Sequence, residues 1–307
     1  MDVQEWLQNN RAWLQRYVGY GVAALVLFFL SRILLQSRDE LAAYSFDFRV
    51  NYGLLMVALV LNVIGLVLSV EIWRQLLLEL DGTLTFRQAF RLWFFSLITR
   101  YIPGNVWQPA TLVILGEREG ITKGKTIFSQ ALFLLLTLAV AGVISLSLLP
   151  SPMHWQQGAL FFSLAAIVFF AIPPVFRGTL RLLARVSRYD LTATRFDFLR
   201  SLLLLGITTA MWIAYGLSLY FFIGALGVIG ELTWLHAIAV FAGAYLIGFL
   251  SFLTPSGLGV REGTMAFFLS AYMPLSLAIV IALLARLLAI AAELVCLGMA
   301  WLTTRIR

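Results

Sequence analysis

The chain has 307 residues, of which 61% are hydrophobic and only 12% are charged, and its mean hydropathy is +0.92. A soluble domain carries about twice that share of charge, so the composition excludes an ordinary soluble fold and predicts an integral membrane protein. The net charge of +7 is typical of the Lys and Arg excess that orients membrane proteins, and we predict no nucleic-acid partner.

The chain begins with a short segment suited to the membrane interface. Tryptophans and leucines occur together with Arg11 and Arg16 in residues 1–16, which predicts an interfacial helix. The apolar run at 17–35 is longer than the core of a cleavable signal peptide. It therefore predicts the first transmembrane helix.

Six apolar stretches are long enough to cross about 30 Å of hydrocarbon as helices. We predict transmembrane helices at 17–35, 53–70, 126–149, 159–175, 202–226 and 275–302. Two further apolar stretches, about 86–116 and about 235–272, are interrupted by proline and glycine. A helix cannot continue smoothly through these residues, because proline lacks a donor and glycine weakens the helix.

Positive charge in the connecting segments sets the predicted orientation. Six arginines and two aspartates in 177–200 place this loop in the cytoplasm, whereas 150–158 and 227–234 lack Lys and Arg and are predicted outside. The C-terminus, with Arg305 and Arg307, is predicted on the cytoplasmic side of an inner membrane. These assignments agree only if each interrupted stretch is a re-entrant hairpin. Seven or eight full spans, the alternative, leave a basic segment on the wrong side.

The same order of elements occurs twice along the chain. Three spans and one hairpin in 17–149 are followed by three spans and one hairpin in 150–307, at an offset of roughly 140–150 residues. Because each unit has an odd number of spans, the two units must have opposite orientations. We predict an all-α integral membrane fold built as an inverted repeat, in which paired broken helices mark a transporter's substrate site.

The two interruptions carry the candidate substrate-binding residues. Backbone N–H groups freed near helix ends bind anions such as phosphate, and an arginine at membrane depth needs a partner or a function. The candidates are Arg100, Tyr101, Pro103, Gly104, Asn105, Trp107 and Gln108 in the first break, Thr254, Pro255, Ser256, Gly257, Gly259, Arg261 and Glu262 in the second, and Arg286 and Glu293 in the last span.

Each candidate also has a purely structural explanation. The glycines and prolines form the turns, Ser256 caps a helix, and Trp107 packs in the apolar interior. Arg261 and Glu262 pair locally, whereas Arg286 and Glu293, which share a helix face, pair with neighbouring helices. Two breaks with nearby arginines in corresponding places favour function more than any single residue does.

No catalytic or metal-binding signature occurs in the sequence. H-E-x-x-H and G-x-S-x-G motifs are absent, and the only cysteine, Cys296, is distant in sequence from His154 and His236. An acidic pair, Asp39-Glu40, resembles those of membrane glycosyltransferases, but the predicted topology places it outside. We therefore predict no enzymatic activity, no cofactor and no metal.

The two break motifs resemble those of the lysylphosphatidylglycerol synthase transmembrane-region family. They read RYIPGNVW at 100–107 and PSGLGVREG at 255–263, and the last span, with Ala-Arg-Leu at 285–287 and Ala-Glu-Leu at 292–294, is also similar. The resemblance covers about 17–302 and implies a flippase-like domain. The acidic residue that the family often has after its first hairpin is missing from 129–138, which argues against a proton- or cation-linked role there.

We therefore predict a lipid flippase whose substrate phosphate binds where the two break tips meet. The resemblance implies an aminoacyl-phosphatidylglycerol-type phospholipid or a polyprenyl-phosphate-linked sugar as substrate. The chain ends at Arg307, and we expect a stand-alone member without the family's soluble synthase domain. The alternative functions are a membrane-embedded lipid-modifying enzyme, or a non-transporting partner of a lipid-synthesising enzyme or glycosyltransferase. The oligomeric state is left open.

Overall fold

The computed structural model describes residues 50–101, 107–148, 155–187, 197–251 and 259–305, and all regular elements in these ranges are helices. A 3-10 turn, Ile98–Tyr101, extends the second helix. The predicted interfacial helix and first span lie outside the described residues. The α-helices of the described ranges are α1 (Tyr52–Glu79), α2 (Phe86–Leu97), α3 (Trp107–Arg118), α4 (Lys123–Leu148), α5 (Trp155–Ala171), α6 (Pro173–Ser187), α7 (Phe198–Ala225), α8 (Trp234–Leu250), α9 (Val260–Leu269) and α10 (Leu275–Arg305).

Four of these helices, α1, α4, α7 and α10, are long and apolar enough to cross a membrane. They coincide with four of the six predicted spans and confirm the prediction of an all-α membrane protein. The span predicted at 159–175 is wrong at its end, since α5 stops at Ala171 and α6 begins at Pro173. Proline fits the first turn of a helix but not its interior, so Pro173-Pro174 starts a separate helix. This helix is amphipathic and contains the first arginines of the basic segment 177–200.

Helices α1 and α7 pack together along their full lengths and run antiparallel. The Asn51 N–H donates to the Ala225 carbonyl (2.9 Å) at one end, and Glu79 pairs with Arg200 at the other. Near the middle, the Ser69 and Tyr215 hydroxyls share a hydrogen bond of 3.2 Å. Both helices have 28 residues, and Ser69 and Tyr215 occupy the same position in each.

Helices α2 and α3 form the first interrupted stretch, and their outer ends are bonded together. The Glu119 carboxylate accepts from Gln88 Nε2 (2.8 Å) and from Arg91 Nη2 (2.6 Å). Lys125 Nζ, at the start of α4, donates to the Asp81 carbonyl just after α1 (2.9 Å). The end of α1, the base of the α2–α3 hairpin and the start of α4 therefore lie at one end of the helix bundle.

Helices α8 and α9 form the second interrupted stretch. The His236 and Tyr272 rings, whose centroids are 5.0 Å apart, meet at its base, and Gly248 contacts Arg261 near its break. This hairpin follows the C-terminal end of α7, as the first hairpin follows the C-terminal end of α1. Because α1 and α7 are antiparallel, the bases of the two hairpins lie at opposite ends of the bundle. The break residues 102–106 and 252–258 lie outside the described ranges.

The helix contacts of the two parts correspond. Helix α2 contacts α1, α3 and α10, and α8 contacts α7, α9 and α4. Helix α3 packs on α4, and in the same way α9 packs on α10. Both α1 and α7 contact α4 and α10. If α1, α2, α3 and α4 are matched in order with α7, α8, α9 and α10, each of these contacts in one half has a counterpart in the other.

Close packing of α7 on α8 depends on Gly216. A methyl group there would lie 2.3 Å from the Ile238 Cα, and membrane helices approach closely through such small residues. We expect Gly216→Ala to lower the thermal unfolding midpoint in detergent, with a loss of about 1–3 kcal/mol from overpacking. Gly206→Ala on the same helix, where nothing lies within 4 Å, is the matched control and should leave the midpoint unchanged or slightly raised. Equal losses in both variants would contradict the close contact.

Candidate functional site

A cavity of about 160 Å³ lies between the two hairpins, beside the crossing of α1 and α7. It brings together Arg100 and Gln108, which flank the first break, with Arg261, which follows the second. Aromatic and apolar side chains of α2, α4, α7 and α8 form most of the remaining described wall. The other polar residues in the described lining are Ser69, Gln130, Thr137, Tyr215 and Tyr245.

Arg261 lies against aromatic rings of α8. It is the second residue of α9. The residue before this helix, Gly259, has a φ of +83°, a backbone conformation that favours glycine. The Arg261 Cζ is 4.9 Å from the centroid of Phe241 and 5.5 Å from that of Tyr245, distances at which ring quadrupoles attract a cation. Arg261 can lie this close to α8 because Gly248 has no side chain. A methyl group at position 248 would lie 2.8 Å from the Arg261 Cβ.

The neighbouring Glu262 is turned away from Arg261 and stabilises the start of α9. Its Oε2 accepts the Gly259 N–H (2.7 Å), and its Oε1 lies 3.8 Å from Arg286 Nε of α10. The prediction of a local ion pair between Arg261 and Glu262 is therefore wrong. No carboxylate of the described residues lies within ion-pair distance of the Arg261 guanidinium.

A second ion pair joins the first hairpin to α10. Arg100 Nη1 lies 3.2 Å from Glu293 Oε1, and both side chains are largely buried. Arg286 and Glu293 thus face inward from α10, and each pairs with a different hairpin. Among the described residues, this cluster contains three guanidiniums, those of Arg100, Arg261 and Arg286, and two carboxylates, those of Glu262 and Glu293. The described cluster therefore has one positive charge in excess.

The remaining predicted site residues have other placements. Trp107 begins α3, is 41% exposed and is absent from the cavity lining, and Tyr101 ends the 3-10 turn. The other seven predicted residues, whose part in the site stays a prediction, lie outside the described ranges. They are Pro103, Gly104, Asn105, Thr254, Pro255, Ser256 and Gly257.

Gln130 is a lining residue that the sequence analysis did not select. It is only 8% exposed, and its Nε2 has no hydrogen-bond partner among the described residues. It lies in 129–138, the stretch that lacks the acidic residue often found in the family. A lone amide in an otherwise apolar span is a signal that could have identified it. Tyr245 carried no comparable signal, because aromatic residues are common throughout α8.

Comparison with known proteins gives one finding. The family model described as Lysylphosphatidylglycerol synthase TM region matches residues 16–296. No curated protein matches the chain. The part of the chain that the structure describes contains no group of three His, Cys, Asp or Glu residues able to hold a metal ion.

Proposed function

The chain belongs to the lysylphosphatidylglycerol synthase TM region family, and from that premise we propose that it is a flippase moving a phosphate-bearing lipid between bilayer leaflets. The family associates the chain with lipid handling in a membrane. The observation that carries the proposal is the placement of Arg261, a cation that lines the cavity between the hairpins and lies against aromatic rings rather than beside a described carboxylate.

A phosphodiester matches the charge of this site. It carries one negative charge, which neutralises the one positive charge that the Arg–Glu cluster has in excess. A guanidinium presents two parallel N–H donors to phosphate oxygens, and such charge-assisted bonds are strong where water is scarce. Arg261 and Arg100 line the cavity from different hairpins, and in the proposed binding mode one phosphate lies between them.

The arrangement of the helices supports an inverted repeat with units 17–149 and 150–307. Equivalent positions, Ser69 and Tyr215, meet in the antiparallel α1–α7 pair, as expected at a two-fold axis in the membrane plane. The hairpins then enter from opposite leaflets as re-entrant elements, and the basic segment and C-terminus lie in the cytoplasm. Rocking of the two units would open the cavity to each side in turn, while the lipid chains stay in the bilayer.

Translocation of a labelled lipid by the purified protein tests this function. Vesicles containing the protein and nitrobenzoxadiazole-labelled phosphatidylglycerol are treated with dithionite, which bleaches only the outer leaflet. We expect bleaching to rise from about half of the label in protein-free vesicles to nearly all of it with protein, because flipped lipid becomes accessible. Mass spectrometry of the recovered lipid is the second measurement. A changed lipid mass would indicate a lipid-modifying enzyme, and bleaching equal to that of protein-free vesicles would contradict the proposal.

A further inference from the structure

The charge of the cavity disfavours a cationic headgroup. Arg100 and Arg261 line it, whereas none of its described lining residues is acidic. The two described carboxylates of the adjacent cluster, Glu262 and Glu293, already lie beside Arg286 and Arg100. An ammonium group on the headgroup would therefore be removed from water beside like charges, which is unfavourable in a site of low dielectric constant.

The neutral polar groups of the cavity suit hydroxyls. Buried polar groups in proteins are nearly always hydrogen-bonded, yet the Gln130 Nε2 has no partner among the described residues. An amide both donates and accepts hydrogen bonds, as a hydroxyl does, so a hydroxylated headgroup can satisfy it. Gln108 presents a second amide to the same space, and Ser69 adds a hydroxyl.

The walls of the cavity favour a compact headgroup with apolar faces. Trp93, Trp212 and Tyr245 line it, and small-molecule sites commonly combine such aromatic walls with a few orienting polar groups. The C–H faces of a glycerol or of a sugar ring can pack on these rings while their hydroxyls reach the amides. The cavity volume of about 160 Å³ accommodates a phosphate and a small attached group.

We propose that the site selects a phosphodiester lipid with a neutral, hydroxylated headgroup and rejects an aminoacylated, cationic one. This inference rests on the proposed flippase function and narrows its substrate class. Phosphatidylglycerol and a polyprenyl-phosphate-linked sugar both present the required chemistry. An aminoacyl-phosphatidylglycerol does not, because its amino groups bring positive charge to two arginines.

Transport rates for three labelled lipids in protein-containing vesicles test the selectivity. The lipids are phosphatidylglycerol, polyprenyl-phosphate glucose and lysyl-phosphatidylglycerol. We expect at least one of the first two to move at least about tenfold faster than the third, a difference that removal of one like-charge contact can produce. The faster of the first two identifies the source of the headgroup.

Variants at Gln130 test which group confers the selectivity. Gln130→Glu places a carboxylate in the cavity. It should lower the ratio of the preferred lipid's rate to the lysyl-phosphatidylglycerol rate at least about fivefold. The control is Ile127→Glu, on the exposed side of α4, which should keep the wild-type ratio. Gln130→Leu removes the amide without adding charge and should slow the preferred lipid about three- to tenfold, the range for one hydrogen bond.

The possible results separate the inference from the proposed function. Equal rates for all three lipids, or a preference for the lysyl lipid, would overturn the selectivity and leave the flippase intact. No movement of any lipid would overturn both. Wild-type rates and preference in both Gln130→Leu and Gln130→Glu would overturn the assignment of the hydroxyl contact to this residue.

Discussion

Replacing Arg261 with glutamine is expected to slow the translocation of labelled phosphatidylglycerol about ten- to a hundredfold, because a hydrogen bond to a charged partner contributes about 1.5–3 kcal/mol. The guanidinium lies in the cavity wall with its charge directed at aromatic rings rather than at a described carboxylate. Its removal therefore eliminates a positive charge available to the lipid phosphate without leaving an unpaired carboxylate behind. Initial rates of dithionite-accessible bleaching in vesicles measure the effect.

The control for Arg261→Gln is an arginine that has a local partner. Arg74 lies in α1, pairs with Glu71 three residues earlier (2.7 Å) and does not line the cavity. Arg74→Gln should retain wild-type translocation. Thermal unfolding of both variants in detergent must be compared, since a large loss of stability only in Arg261→Gln would assign that arginine a structural role. Normal translocation by a stable Arg261→Gln protein would refute the proposed phosphate contact.

A lysine at the same position separates charge from geometry. Arg261→Lys keeps the positive charge but loses the planar pair of donors, which matters for a phosphate bound by two parallel hydrogen bonds. We expect a rate between those of the wild type and the glutamine variant. A rate equal to the wild type would indicate that the site uses only the charge.

The two interruptions could be located from the sequence because their cause is local. Pro103-Gly104 and Pro255 stand within apolar runs, and the described helices end at Tyr101 and Leu250 and resume at Trp107 and Val260 around them. The same rule applies to Pro173-Pro174, which end the predicted fourth span early. Mean hydropathy alone predicts a span that continues through the prolines, because the residues on both sides of them are apolar.

The partners of the charged residues could not be predicted in the same way. Arg100 and Glu293 are 193 positions apart in sequence, and their contact depends on how the first hairpin packs on α10. Helices such as α4 and α8 are apolar on all sides, so periodicity does not indicate which side faces the cavity. The roles of Gln130 and Tyr245 follow from that packing. They therefore became apparent only in the structure.

Exchanging Arg100 and Glu293 should show how strongly the first hairpin is held to α10. Arg100→Glu alone places two carboxylates together and should lower the free energy of unfolding by about 3–5 kcal/mol, the cost of breaking a buried ion pair. Glu293→Arg alone should be similarly destabilising. The double exchange restores opposite charges across the same contact and should recover most of the lost stability. Unfolding of all four proteins in detergent gives the coupling energy, and additive losses would contradict a direct interaction.

The translocation rate of the doubly exchanged protein shows whether Arg100 has only a structural role or also binds the lipid. If Arg100 only fastened the hairpin, the restored pair would restore the rate together with the stability. We expect the stability to recover but the rate to stay at least about tenfold low, the effect of losing one charged hydrogen bond. The exchange leaves a carboxylate at position 100, where a guanidinium lines the same cavity as Arg261. This carboxylate would repel the phosphate. A stable but slow protein would therefore mean that Arg100 both fastens the first hairpin to α10 and contacts the headgroup. Lipid binding would then compete with the Arg100–Glu293 ion pair for the same guanidinium.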